Sequence, residues 1–569
     1  MATIPDPETF SRLDAPFAVG AWEVHPRSNE IRGEIRRVKL EPKVMQVLCF
    51  LASRPGVVVS REELEAEAWR GMVVTYDAVT SAIIKLRKAL GDDARHPRYI
   101  ETLSKSGYRL IAEVRGGVSD EPNYPAGDGA QTRSSIAFRI LIPVLALVSI
   151  ALWLLLPKGG DPTVSDGVGT VPAPVHIPGI AVLPFVNLGA VPEQDYFADG
   201  ITEDLITDLS KLSGLWVVAR NSAFAYRGST ENEPTVAREL GVDYVLKGSV
   251  QRSADRIRFN VQLVDGLRGS NLWAERYDRR IDDLFALQDE IAASILSAIE
   301  VEIAPSDRAR PGRSHLASIE AYDAFLRGLD HYGRRSLEDT QMAIDHYRRA
   351  IAIDPEFARA YAGLSLVYVR DAVDGWDLGA EDGLAKAQEL IAQARALDPM
   401  VPQIHFVQGQ IDLYRRDYVA AIRSAEEAIA IKPNYADAYA LLAWILHFAG
   451  RADDGLVSME RAVRLNPRMP AIYRLVRGAL YYENGDIERA VADFQAAVDM
   501  SPSFQLSRVW LAAAYAAADR PGDAEWETRE ILALDPGFSV SHVRRAFPIK
   551  DPIYRERFLE DLRRAGLPE

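Results

Sequence analysis

ILIPVLALVSIALWLLL, Ile140–Leu156, is a run of seventeen residues without a charge, and no other stretch of the chain approaches it. At 1.5 Å per residue it makes about 25 Å of helix, near the lower limit for crossing a bilayer. Ile136, Ala137 and Phe138 extend it on the amino side, and the long Arg139 side chain can reach toward headgroups. The run is apolar on every face, and polar stretches rich in Gly, Pro, Ser and Asp flank it where a buried core helix needs packing partners. A domain precedes it, which excludes a cleaved signal peptide. The sequence therefore predicts one transmembrane helix over 136–156.

Working outward, Arg133 and Arg139 precede the helix, while Lys158 on the far side is followed by Asp161 and Asp166. The excess of positive charge on the amino side predicts a cytoplasmic N-terminus. The 569 residues are too many for one core, and 48% hydrophobic with 26% charged residues is the composition of folded protein. Residues 1–117 carry 18 Lys and Arg against 16 Asp and Glu, and the remainder 48 against 65. Nucleic-acid binding is thus plausible at the amino end alone. The one cysteine, Cys49, precedes the hydrophobic run and sits among Leu48, Phe50 and Leu51 as a small core residue, so no disulfide can form in the rest of the chain.

After a tail over 1–16, residues 17–40 alternate short apolar runs around a Pro-Arg-Ser-Asn turn and read as a small antiparallel sheet. Val44, Val47, Leu48 and Leu51 then mark one face of a helix that stops before Pro55-Gly56. Ser60 to Glu63 is a capping box opening a second helix, and a third runs from Asp77 to Leu90. A hairpin with a Ser-Lys-Ser-Gly tip follows. Sheet, three helices and hairpin make a winged helix over 17–117.

The stretches LEPKVMQVLCFLASRPGVVVSREELEAEAW, AVTSAIIKLRKALGDD and YIETLSKSGYRL resemble the DNA-binding domain of OmpR/PhoB-type response regulators. They resemble still more the amino-terminal copy in membrane-bound regulators of the ToxR and CadC kind. That resemblance implies a bacterial inner-membrane protein, with its N-terminus in the cytoplasm and its C-terminus in the periplasm. The segment before Phe17 is too short for a phosphoacceptor domain, so aspartyl-phosphate switching is not expected.

Independently of the family, Val79, Ile83, Leu86 and Leu90 recur at helical spacing and face the core. Thr80, Ser81, Ile84, Lys85, Arg87 and Lys88 then make up the outer face and its flank, with Lys105 and Arg109 on the hairpin. Lysines suit phosphate or guanine, and an isoleucine suits a thymine methyl. These residues are the expected contacts to double-stranded promoter DNA. A basic helix face taken alone is more often a solvated surface, but a wing beside the helix shifts the balance to DNA.

Linkers are expected over 118–135 and 157–178. From Ile180 strands and helices alternate as a mixed α/β domain over 179–305, and its PFVNL, FADGITEDLITDLSKL, GVDYVLKGSVQRS and LWAERYDR segments resemble the amino-terminal domain of TolB. Asp199, Glu203, Asp204 and Asp208 form an acidic run near the start of a helix, where carboxylates favour the helix dipole. An activity there requires converging polar partners. No phosphate-cradling glycine loop, paired-histidine metal motif or G-x-S-x-G elbow occurs in the chain. No catalytic residue, cofactor or metal site is expected, and the chain reads as a non-enzyme.

Pro355, Pro399, Pro433, Pro467, Pro502 and Pro536 are spaced 44, 34, 34, 35 and 34 residues apart. Twelve residues before each stands Ala343, Ala387, Ala421, Gly455, Ala490 or Ala524. Paired antiparallel helices approach closely only where side chains are small, and proline ends the second helix of each pair. The pattern resembles the tetratricopeptide repeat and predicts an all-α solenoid of about six repeats over 317–536, with capping helices over 537–569. Such arrays present a groove to peptides or proteins. Candidate groove residues are Tyr361, His405, Gln408, Tyr439, Trp444, Tyr473, Arg477 and Trp510, although most aromatics at such positions pack between repeats.

The expected whole is a multidomain, single-pass membrane-anchored transcription regulator: winged helix-turn-helix, one transmembrane helix, mixed α/β domain and solenoid. Its expected partners are promoter DNA, the membrane, a periplasmic protein or peptide, and a second copy on DNA. The alternative is a periplasmic repeat scaffold whose winged helix docks proteins instead of promoters.

Overall fold

The computed structural model describes residues 15–33, 36–69, 77–93, 97–103, 107–115, 177–189, 195–229, 231–253, 255–299, 318–334, 336–374 and 383–569. The run read as a transmembrane helix, 136–156, lies outside the described residues, as do both linkers over most of their length and residues 375–382 within the repeats. Among the described residues no helix is long and apolar enough to cross a membrane.

In the head, β1 (Phe17–Val19), β2 (Trp22–His25), β3 (Glu30–Arg32) and β4 (Arg37–Lys39) form an antiparallel meander, and β8 (Val114–Arg115) pairs with β1. Helices α1 (Pro42–Ser53), α2 (Arg61–Trp69) and α3 (Asp77–Leu90) follow. The wing is β6 (Ile100–Leu103) and β7 (Gly107–Leu110), extended by β5 (Val58–Val59) in the order β5-β7-β6. The capping box is reciprocal. The Glu63 N–H donates to Ser60 Oγ at 3.1 Å, and the Ser60 N–H donates to Glu63 Oε2 at 2.8 Å. These hydrogen bonds hold the Glu63 carboxyl below its ordinary value.

The second domain carries a six-stranded mixed sheet. β11 (Trp216–Val217), β9 (Gly179–Val182) and β12 (Tyr244–Ser253) are parallel neighbours, and β10 (Val186–Asn187) pairs in parallel with β12. β13 (Arg256–Asp265) and β14 (Asn271–Arg280) continue antiparallel. Helices α4 (Asp195–Ser210), α5 (Arg220–Phe224), α6 (Glu233–Leu240) and α7 (Leu284–Ala298) cover it.

Six helix pairs follow: α8 (Ile319–Arg334) with α9 (Leu337–Ile353), α10 (Ala358–Asp374) with α11 (Gly383–Leu397), and α12 (Pro402–Tyr414) with α13 (Tyr418–Ile431). The series continues with α14 (Ala436–Phe448) and α15 (Ala452–Leu465), α16 (Ala471–Glu483) and α17 (Ile487–Met500), and α18 (Gln505–Ala517) and α19 (Pro521–Leu534). Two terminal helices follow, α20 (Val540–Ala546) and α21 (Pro552–Arg564), and α21 packs on the last pair through the buried Phe558 against Trp510. Ala343, Ala387, Ala421, Ala490 and Ala524 are fully buried where paired helices meet.

One apolar core runs without interruption from Ile180 in the α/β sheet to Ile411 in α12. A Cβ at Gly200 on α4 would lie 2.3 Å from the end of the Leu326 side chain of α8, so the two helices approach closely there and a larger residue would have to displace Leu326. Asp204, 2% exposed, accepts from the Tyr322 hydroxyl and the Arg359 guanidinium, each at 2.7 Å. The α/β domain is therefore built onto the repeats, and its contacts reach as far as the fourth pair, where the Ala219 N–H donates to the Leu465 carbonyl at 2.8 Å and Arg468 pairs with Glu239 at 2.6 Å.

Candidate nucleic-acid interface

In α3 the apolar side is buried, with Val79, Ile83, Leu86 and Leu90 at 2% exposure or less. On the outer side Ile84 is 59% exposed and Lys88 is exposed, while Thr80, Ser81, Lys85 and Arg87 are half-buried. Arg87 ties the helix to the wing. Its Nη2 donates to the Ile100 carbonyl and to Thr102 Oγ1, each at 2.8 Å. Thr80 Oγ1 accepts from Arg61 at 3.2 Å. Arg109 pairs with Glu101 across the wing at 2.5 Å, and Lys105 lies outside the described residues. Asp92 fixes the entry to the wing by accepting from the N–H groups of Arg98, Tyr99 and Ile100 at 2.7, 3.2 and 2.8 Å. The Trp22 indole donates to the Leu90 carbonyl at 3.1 Å, which caps the end of α3. Helix and wing are thus locked into one rigid element, with Ile84 and Lys88 facing outward.

Lys85 has a different environment. Its Nζ lies 2.5 Å from Glu41 Oε1 in the head and 2.7 Å from Glu530 Oε2 on α19 of the array. Arg508 of α18, 1% exposed, reaches the same Glu41 at 3.3 Å and pairs with Glu527 at 2.7 Å. The Trp69 indole donates to the Asp499 carbonyl, and Lys39 lies 3.5 Å from Asp523. Burial works to raise the Glu41 carboxyl, but the charges of Arg508 and Lys85 outweigh it and hold the group low. Burial raises Glu527 to about 7 against the pull of Arg508. One basic residue of the reading helix is therefore held by carboxylates, one of them from the array. Sequence spacing gave no hint of this, because Lys85 and Glu530 are far apart in the chain.

Of the eight residues read as a peptide groove, Trp444 and Tyr473 line a cavity of about 510 Å³ between α4 and the inner face of the repeats. The other six do not border it, and the reason is packing. Trp510 is fully buried, stacked on Phe558 at 4.2 Å between ring centres. His405 is buried between Glu427 and the Pro399 carbonyl, each at 2.8 Å, and Gln408 between Gln388 and Asp412. Arg477 is bound to Asp493 through two hydrogen bonds at 2.6 and 2.7 Å. Tyr439 packs into the core, and the Tyr361 hydroxyl donates to the Pro355 carbonyl at 3.2 Å. These six large or polar side chains on first helices fill the space between repeats, whereas Trp444 and Tyr473 turn toward the cavity.

The acidic run also has structural partners. Asp199 pairs with Arg227, Glu203 with Arg220 at 3.1 Å, Asp204 with Arg359, and Asp208 with Lys211 at 2.9 Å. Among the described residues no group of His, Cys, Asp and Glu is placed to hold a metal ion.

Residues 35–110 match the family described as "Transcriptional regulatory protein, C terminal". Residues 178–294, likened above to TolB, match "HilA/YgeH-like transcriptional regulator, second domain", and 375–436 with 475–537 match "Tetratricopeptide repeat". "Putative adenylate cyclase 3" of Rhizobium meliloti is 46% identical over 233 residues, 40% of this chain and 39% of that protein. "Transcriptional activator CadC" of Escherichia coli is 42% identical over 97 residues, 17% of this chain and 19% of that one. "Transcriptional regulator HilA" of Salmonella typhimurium is 23% identical over 455 residues, 79% of this chain and 70% of the relative. The matches thus span 39% of the first of these relatives and 19% of the second. The solved DNA-binding domain of E. coli CadC is 40% identical over 17% of this chain and 94% of that one, with a TM-score of 0.17. By its element order, its wing and the family and sequence matches over 35–110, the head is a winged-helix DNA-binding domain of the kind that transcriptional regulators carry.

Proposed function

We propose that this chain regulates transcription from the bacterial inner membrane. The winged helix reads promoter DNA in the cytoplasm, 136–156 crosses the bilayer, and the α/β domain with the repeats receives a periplasmic protein or peptide signal. The observation that carries the DNA reading is the rigid α3–wing element, which presents Ile84 and Lys88 outward beside a paired Arg109. Two heads brought together by the external part would fit half-sites about one helical turn apart. The chain acts by binding, not by catalysis.

A second reading is favoured by the contacts of Lys85 and Trp69 with the array. A bilayer between head and repeats would part these groups within one molecule. In this reading both lie in one compartment, and the array restrains the head directly.

The function itself is tested by a gel shift of the full-length chain on its own upstream DNA. Retarded DNA that is competed by specific but not by random duplex is the expected result. No specific shift, together with capture of a cytoplasmic protein by the head, would favour the scaffold alternative.

A further inference from the structure

The residue before each repeat proline is short and polar in five of the six repeats: Asp354, Asp398, Asn466, Ser501 and Asp535. Three of these aspartates have a local task there, accepting from the backbone N–H two residues on: Asp354 from Glu356 at 3.1 Å, Asp398 from Met400 at 2.9 Å, and Asp535 from Gly537 at 2.8 Å. In the third repeat the position is Lys432, which cannot accept a hydrogen bond. The repeat gives up its turn bond there and gains a long cation.

Lys432 is 7% exposed and borders the cavity between α4 and the repeats. Its Nζ donates to Thr207 Oγ1 of α4 at 3.2 Å and lies 4.7 Å from the centre of the Tyr435 ring. Three other cations border the same space, and each is engaged elsewhere. Arg220 is paired with Glu203, Arg359 with Asp204, and Arg370 donates to the Tyr332 carbonyl at 2.8 Å. Among the described residues Lys432 has no carboxylate within ion-pairing distance. Glu203, Asp208 and Asp437 stand farther off, with Lys211 opposing them, and Asp437 accepts from the Tyr473 hydroxyl at 2.7 Å. Burial pushes the lysine down to about 8 against these carboxylates. Glu203, Asp437, Gln403, Gln410 and Asn434 also border the space, and the rest of the wall is largely apolar and aromatic, among it Phe325, Phe406, Leu441, Trp444 and Phe504.

A buried ammonium without a counter-ion is costly, and an anion at Nζ relieves that cost. A volume of about 510 Å³ lies within the range of small-ligand sites. We infer that this cavity binds a small amphipathic organic acid, its carboxylate on Lys432 Nζ and its acyl or aromatic body against the wall of Phe406, Leu441 and Trp444. The inference stands whether or not the head reads DNA.

The test uses the purified full-length chain with 8-anilinonaphthalene-1-sulfonate as fluorescent probe and decanoate, decanol and decylamine as competitors. Decanoate is expected to displace the probe at a concentration at least tenfold lower than decanol, and decylamine to be weaker still. Lys432→Met, which keeps the apolar stem, should erase the advantage of decanoate over decanol, and Lys432→Arg should retain it. Equal competition by acid and alcohol in the native chain would overturn the proposal. So would stronger competition by the amine, an unchanged decanoate advantage in a folded Lys432→Met, or absence of probe binding. The native-chain comparison decides the matter even if the methionine variant fails to fold.

Discussion

Gly107 has a φ of +126°, and a methyl built on it would lie 2.0 Å from the Val59 carbonyl oxygen. Both the left-handed backbone and the close approach of β7 to β5 demand glycine. Gly107→Ala should therefore cost more than about 1 kcal/mol and open the wing. Faster amide exchange across Val58, Val59 and Tyr108 would register it, and unchanged protection would show that the wing relaxes freely. Lys432 gives a stability prediction of its own. Its folded value, about 8, lies below the ordinary 10.5, so between these values the unfolded chain holds more protons and stability rises with pH. Lys432→Met should lack that rise and be the more stable chain at pH 7, by on the order of 2–3 kcal/mol. Urea midpoints of both chains at pH 7 and pH 10 check the sign. Of the residues proposed to meet DNA, Ile84 and Lys88 could be placed outward from periodicity alone. The bonds of Arg87 to Ile100 and Thr102 could not, because they depend on where the wing folds back.

At the scale of elements, α3 and α19 share Lys85 through Glu41 and Glu530. This separates two lysines that sequence spacing treats alike. Lys88→Ala should reduce the slope of log affinity against log salt by about one, the signature of one lost phosphate contact. Glu530→Gln should leave the slope unchanged and tighten DNA binding severalfold, since releasing a half-buried ion pair is worth about 1 kcal/mol. A full-length Glu530→Gln chain with unaltered affinity would show that the array does not restrain the head. The repeats themselves were legible because their constraint is local and periodic. A Cβ at Gly478 would lie 2.6 Å from Phe494 within the same pair, and one at Gly328 would lie 2.8 Å from Tyr347 within the first pair. Which large residues face outward was not legible, because Trp444 and Trp510 occupy neighbouring positions in sequence pattern yet one borders the cavity and the other is enclosed by α21.

For the whole molecule, the hydrophobic run at 136–156 and the contacts of the head with the array make opposite statements about compartments. If the run spans the bilayer, protease added to intact spheroplasts should remove the repeats and leave a head-sized fragment inside. If head and array share a compartment, the chain should resist until the cells are opened. Sequence by itself determined the winged helix, the solenoid and the small residues between its helices, because capping boxes, helical periodicity and proline spacing are set by neighbours within one or two turns. Only the tertiary structure decided that Asp204 joins the α/β domain to the first repeats, that Lys85 is held by Glu530, and that Lys432 borders a cavity. Each of these joins groups far apart along the chain, and such a pairing is fixed by packing, which no local pattern of residues records.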